Sequence, residues 1–277
     1  MTEQSDAGIG VDELLSRFGT RSAPLIIDVR RSQAYMTSDA VIAGCLRREP
    51  DAVGSWSGTL PGGRDIVVYC VHGHEVSQQA ASGLRAAGHA ARFLTGGFQA
   101  WVDAGGPLAV RHEHLTSDQP SQWVTRERPK IDRVACPWLI RRFIDPQAQF
   151  LYTPTENVFA MAKQTGAVPY DIPGAEPFTH DGPLCSFDTI IRHFAIRDPA
   201  LDNLALIVRG ADTDRLDLTP QSSGLLAVTL GMSANSGDDD HAMLESSMAI
   251  YDALYTWCRR LRAERHNWTP PATGVAA

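Results

Sequence analysis

The chain has 277 residues, 43% of them hydrophobic and 21% charged, with a formal charge of -7. This is the composition of a globular protein with one large or two ordinary domains, and it excludes a disordered or fibrous chain. The net acidity argues against nucleic acid as a partner, and no apolar run approaches the roughly 18 residues that a membrane span needs. The acidic start Thr2-Glu3-Gln4-Ser5-Asp6 carries no secretory pattern. Five scattered cysteines (Cys45, Cys70, Cys136, Cys185 and Cys258) with no CxxC pair read as the reduced thiols of a cytoplasmic protein.

Along the chain, Val11 to Phe18 predicts a short amphipathic helix with Leu14, Leu15 and Phe18 on one side. Leu25-Ile26-Ile27-Asp28-Val29 and Ile66-Val67-Val68-Tyr69 are short apolar runs, suited to strands buried on both faces of a parallel sheet. The turn Pro61-Gly62-Gly63 precedes the second run. A loop after Cys70 leads to a helix from about Val76 to Ala87, stopped by Gly88, and Ala91 to Leu94 is a further strand. Strands alternating with helices predict an α/β domain over residues 1–110, a parallel sheet flanked by helices.

Residues 111–128 are polar, with His112, Glu113, His114, Ser117, Pro120 and Ser121, and read as a linker. Beyond it, over 129–277, helical patterns dominate. They run from Pro137 to Ile144, from a capping Thr155 to Thr165 before Gly166, from Ser186 to Phe194 and from Pro199 to Ala211. A long last helix, about Asp239 to Arg265, carries Leu244, Met248, Tyr251, Tyr255 and Cys258 at helical spacing. This half is expected to be a mainly α domain, and the last ten residues a tail.

The chemistry in the first half centres on Cys70. It closes a buried strand and opens Cys70-Val71-His72-Gly73-His74-Glu75-Val76-Ser77 before a helix N-terminus. Backbone N–H groups turned inward in such a loop, with the helix dipole behind them, form a cradle that favours an anionic sulfur. Gly73 relieves crowding in the turn. The alternative is that Cys70 is a small buried hydrophobe, the commoner fate of a lone cysteine.

Several features together resemble the rhodanese domain. They are Asp28-Val29-Arg30, the Ala43-Gly44 turn, the Tyr69-Cys70-Val71-His72-Gly73 loop, and Leu94-Thr95-Gly96-Gly97-Phe98-Gln99-Ala100-Trp101. The resemblance implies a sulfurtransferase in which Cys70 takes sulfane sulfur from a donor such as thiosulfate, carries it as a persulfide and passes it to a small thiol. The loop Val71, His72, Gly73, His74, Glu75 and Val76 would bind the substrate. Asp28, Arg30 and Trp101 read as structural. His72 and His74 either hold an anionic donor or are idle loop residues, while Glu75 departs from the basic residues common there. No arginine lies between Cys70 and Arg85 to clamp phosphate bidentately, which argues against the related phosphatases. No organic cofactor is implied. A redox- or oxyanion-sensing protein without rapid turnover is the alternative.

Residues 123 to 262 resemble the C-terminal domain of chromate-resistance proteins of the ChrB type. The resemblance rests on the run Arg128-Pro129-Lys130-Ile131-Asp132-Arg133-Val134-Ala135-Cys136-Pro137-Trp138, on His180, on Cys185-Ser186-Phe187-Asp188, on Arg209-Gly210-Ala211-Asp212 and on Tyr251-Asp252-Ala253-Leu254-Tyr255. It implies an association with chromate resistance. The residues themselves suggest a divalent metal, zinc, iron or manganese, held by His180, Asp212, His241 and Glu245. His241 and Glu245 stand four apart on one helix face that runs on to Met248, which points them inward. A buried hydrogen-bond network around a satisfied histidine is the equal alternative. Cys136 and Cys185 are expected to be small core residues.

Overall fold

The computed structural model describes residues 7–117 and 119–264. In the first half, β1 (Gly8–Ile9), α1 (Val11–Arg17), β2 (Leu25–Asp28), α2 (Ser32–Met36), β3 (Ala40–Ile42) and β4 (Leu46–Arg47) lead to α3 (Val53–Trp56). Then come β5 (Ile66–Tyr69), α4 (Glu75–Ala86), β6 (Ala91–Leu94), α5 (Gly97–Asp103) and β7 (Leu108–Val110). Five strands form a parallel sheet in the order β1-β6-β5-β2-β4. The most apolar run therefore lies at the centre, and Cys70 emerges from the C-terminal end of β5, where open α/β sheets place their ligands.

Side chains on a strand alternate between faces, and the two faces of this sheet have different fates. Leu25, Ile27, Ile66 and Val68 pack with Ala80, Ala81 and Leu84 of α4 in one apolar cluster. Ile26, Val67 and Tyr69, from the intervening positions, belong to a second cluster that continues through Phe18 and Trp101 into the other half of the chain. There it includes Trp138, Phe143, Tyr251 and Tyr255. The Phe18 ring lies 5.4 Å from both Trp101 and Phe143. Arg21 donates its backbone N–H to Asp252 at 2.8 Å, and Arg260 reaches the Leu15 carbonyl at 3.1 Å.

The second half is largely helical and also holds a small sheet. Its elements are β8 (Gln122–Arg126), α6 (Asp132–Phe143), β9 (Gln149–Thr153), α7 (Val158–Thr165) and β10 (Val168–Pro169), followed by α8 (Ser186–His193), α9 (Pro199–Asp212), α10 (Pro220–Ser236) and α11 (Asp240–Thr256). The strands form a parallel sheet in the order β10-β8-β9, with β8 in the middle.

The segment 111–128, expected as a linker, is therefore corrected. It contains a 3-10 turn at Glu113–Leu115, whose Leu115 is fully buried, and the central strand of the second sheet. Its polar composition misled because part of it is held in the fold: Arg111 pairs with Asp39, Ser121 donates to Asp145, and Arg48 reaches the carbonyls of Leu115 and Ser117. Just before it, β7 pairs antiparallel with β3 and also bonds to Phe194 and Arg197, so one backbone ladder joins the halves.

His112 is half-buried between Phe194 and His114, and its two buried ring nitrogens have no hydrogen-bond partner among the described residues. Burial, aided by the charges of His114 and His193, pushes its pKa down to about 3. The unfolded chain takes up this proton near its ordinary value of about 6.5, whereas the folded one refuses it. Stability should be unaffected above that pH and fall by about 1.4 kcal/mol per pH unit below it, until the folded group also titrates. Urea melts between pH 7 and 5 should show this slope, and His112→Phe should flatten it. An equal slope in both proteins would assign the acid sensitivity to other groups.

Candidate functional site

Cys70 is 6% exposed. It lines a cavity of about 330 Å³ together with Arg30, Arg31, Val71, His72, His74 and Glu75. The loop after it is braced by the turn that opens α5: Phe98 N–H donates to the Cys70 carbonyl at 2.8 Å and Gln99 N–H to that of Val71 at 3.0 Å. Gly73 has a φ of 71° and faces the backbone of Leu94 and Gly96 so closely that a β-carbon would collide with it. At Gly97 a β-carbon would stand 2.5 Å from the Cys70 oxygen. Gly97 is thus required by the approach of two backbones, which fixes the shape of the cysteine loop, and Gly96 by its φ of 75° and the Ala100 side chain.

Helix α4 begins at Glu75, and no side chain caps it at His74. Its first N–H groups have no intrahelical acceptors, and they border the cavity beside the sulfur. His72 and His74 are exposed, with ring centres 5.9 Å apart. The Glu75 carboxylate is held by Gln79 at 2.8 Å. Two arginines from the loop after β2 also line the cavity, a contribution invisible in the spacing around Cys70. Arg30 is committed to Asp28 through a bidentate pair and lies 4.5 Å over the Phe98 ring, whereas Arg31 is exposed. Asp28 also accepts from Tyr69 Oη at 2.8 Å, and Trp101 donates to the Pro107 carbonyl at 3.0 Å. These contacts place all three residues in the scaffold.

Ser77, which no motif or spacing singles out, stands beside the thiol. Its hydroxyl lies 3.2 Å from Cys70 Sγ and 3.2 Å from the His74 carbonyl. With a thiol present, Ser77 donates to the carbonyl and accepts from S–H. Once the sulfur is anionic, the same proton turns towards it. A hydrogen bond to a charged group contributes about 1.5–3 kcal/mol, so Ser77→Ala should slow alkylation of Cys70 by about tenfold or more. Alkylation rates with iodoacetamide check this; an unchanged rate would reduce Ser77 to a packing residue.

In the second half, His180 meets three carboxylates. Its Nε2 lies 3.1 Å from Asp212, 3.5 Å from Asp171 and 3.8 Å from Asp132. Asp132, at the start of α6, is fully buried and accepts the N–H groups of Ser186 and Phe187 at the head of α8. Asp171 accepts from Ser186 Oγ at 2.8 Å and pairs with Arg126 and Arg133. Hydrogen bonds to Asp171 and Asp212 raise the His180 pKa to about 10 against the effect of desolvation. Burial, with Asp212 and Asp171 adding repulsion, pushes the Asp132 carboxyl well up. Burial also raises Asp171, but the bonds from His180 and Ser186 and the two arginines outweigh it and leave that carboxyl below its usual range. Ile131 and Asp171 have φ values of 36° and 50°, uncommon for residues other than glycine, and Tyr251 holds the Ile131 carbonyl at 3.1 Å.

The expected metal ligands are therefore only partly brought together. His180 and Asp212 meet, joined by Asp132 and Asp171. His241 and Glu245 do not join them: His241 is exposed and packs edge-on against Tyr152, and the Glu245 carboxylate pairs with Arg141 at 2.5 Å. Both flank the buried stripe of α11 (Met243, Leu244, Ser247, Met248 and Tyr251) instead of lying in it. Cys136 and Cys185 are fully buried, and burial pushes both thiols well up.

A parallel sheet with a cysteine loop between its central strand and a helix N-terminus defines a rhodanese-like domain, and residues 10–104 match that family. Residues 123–258 match the family described as ChrB, C-terminal domain, so the chain joins a rhodanese-like domain to a ChrB C-terminal domain. It is 37% identical over 142 residues to "Protein ChrB" of Cupriavidus metallidurans, a match covering 51% of this chain and 42% of that protein. The chain thus spans about two-fifths of that relative's length. Among solved structures it is similar to a rhodanese-related protein from Thermoplasma volcanium, at 22% identity over 38% of this chain and 98% of that one, with a TM-score of 0.33. A rhodanese-like domain protein from Staphylococcus aureus gives 24% identity, the same two coverages and the same score. A rhodanese-like domain from Anabaena gives 32% identity over 42% of this chain and 85% of that one, with a TM-score of 0.33.

Proposed function

We propose that the protein is a sulfurtransferase of the thiosulfate type. The observation that carries this reading is the position of Cys70, in the lining of a small cavity beside the uncapped start of α4. The Cys70 thiolate attacks the outer sulfur of thiosulfate, a new S–S bond forms, the old one breaks, and sulfite leaves with the electron pair. The persulfide is an anion, and the first N–H groups of α4 with the Ser77 hydroxyl stabilise it. A small thiolate, or cyanide, then takes the outer sulfur and returns the Cys70 thiolate. Arg31, His72 and His74 at the mouth favour an anionic donor, and the Gln79 bond to Glu75 tempers the one opposing charge.

Mass spectrometry after thiosulfate treatment should find one added sulfur, confined to the peptide carrying Cys70. Tight thiosulfate binding without sulfur transfer would instead favour an oxyanion- or redox-sensing role.

We read the second half as a metal-binding domain that serves chromate resistance in the cytoplasm, with a divalent cation held through His180 and Asp212. The convergence of Asp132, His180 and Asp212, whose ligand atoms all lie within 4.8 Å of one another, supports this part.

A further inference from the structure

Asp132 carries a buried acceptor that no group among the described residues satisfies. Its Oδ2 takes two N–H groups of α8, but its Oδ1 has no partner among the described residues, although the residue is 0% exposed. Buried carboxylate oxygens are normally paired, and an orphan at the edge of an imidazole and two further carboxylates marks a missing positive group.

Asp171 differs from the other two acids. Both of its oxygens are already engaged, one by Ser186 and the other by Arg126 and Arg133. It is therefore already committed, while Asp132 and Asp212 keep oxygens to offer. His180 is 44% exposed at its side chain and Asp212 17%, so the cluster is closed on the Asp132 side and open on the His180 side. An oxyanion entering alone would meet three carboxylates, which excludes it as the primary ligand. Cys185 donates its thiol to Asp188 at 3.3 Å and Cys136 lies within the apolar core, so neither sulfur is offered to the cluster.

We infer that the second half holds manganese(II) or iron(II) in a centre whose ligands are Asp132, His180 and Asp212, with Asp171 beside it outside the ligand set and with coordination positions open to solvent. This rests on the reading of that half as metal-binding and names its ligands and metal class. Two carboxylates and one imidazole without thiolate form a hard to borderline set suited to these ions. All three carboxylates meet the same His180 Nε2, so the ion would take the place of the proton that Nε2 shares with them. The open side admits water or an anionic oxygen to the metal.

The full-length protein, purified without a metal-affinity tag and stripped with chelator, should be titrated with Mn2+ and followed by electron paramagnetic resonance. One ion should bind per chain. Asp132→Asn and Asp212→Asn should each weaken binding by at least about tenfold, while His241→Ala and Glu245→Gln leave it unchanged. Asp132 also supports the head of α8, so Asp212→Asn, with circular dichroism of both variants, separates ligand loss from misfolding. Cobalt-loaded protein should show no thiolate-to-metal charge-transfer band. Such a band, or affinity untouched by both aspartate variants, would overturn the ligand set while leaving a metal-binding domain. Failure to retain any of Mn2+, Fe2+, Co2+ or Zn2+ would overturn the metal reading itself.

Discussion

Cys70→Ser is expected to reduce sulfur transfer from thiosulfate to background, a loss on the order of 10³-fold or more. The serine oxygen fits the same space but is far less nucleophilic than a thiolate and cannot hold sulfane sulfur as a persulfide. Binding should suffer less, because the donors around the sulfur belong to the backbone and to Ser77. The informative comparison is therefore turnover against donor affinity, measured on both proteins. Cys45→Ser is an unsuitable control, since Cys45 is fully buried against Tyr69. Cys258, in the π-helical turn Trp257–Leu261, is a better one. Equal rates in wild type and Cys70→Ser would remove Cys70 from the chemistry.

Heating the protein should give one cooperative transition in which sulfurtransferase activity and the helical signal of the second half disappear together. The rings of Phe18 and Trp101 from one half and Phe143, Trp138 and Tyr255 from the other form one buried network. Phe143 is fully buried, and Phe143→Ala should cost about 3–5 kcal/mol, a large part of the roughly 5–15 kcal/mol that a folded protein has. Activity at Cys70 should then melt at a lower temperature, although the substitution lies in the other half. Residues 1–110 alone would expose Leu14, Phe18 and Trp101, and should be soluble only when the second half is supplied. Two separate calorimetric transitions, or an active stable fragment, would show that the halves are independent.

The first half was largely legible because its signals are local. Buried parallel strands read as continuous apolar runs, and Gly73 and Gly97 stand where backbones must approach. The second half was less legible for definable reasons. Strands β8 and β9 are five residues each and mix glutamine, threonine and arginine with their apolar positions, so neither shows a clear alternation. Helix α10 carries no charged residue and only a weak apolar face, so periodicity does not find it. Helix α6 begins at Asp132, before the expected Pro137, because its first turn is held by tertiary contacts. The His180 cluster is assembled from residues up to 80 positions apart, on α6, two loops and the end of α9 (132 and 212 being the extremes). His180 and Asp212 could be suspected singly, but the burial of Asp132 and Asp171 beside them is a property of the folded chain. The His241–Glu245 pair misled because spacing on a helix says which residues share a face, not whether that face is inside.

The continuous core carries a consequence for the sulfur transfer proposed at Cys70. Carrier domains on flexible tethers deliver cargo by swinging between stations, at an effective concentration that the tether sets. Here Phe18 and Phe143 share one packed interior, and Leu108 and Arg197 are bonded through their backbones, so Cys70 is a fixed station. Whatever relieves it of sulfur must travel to the cavity mouth by diffusion. Acceptor concentration, not a motion of the two halves, should set how quickly the loaded enzyme is emptied.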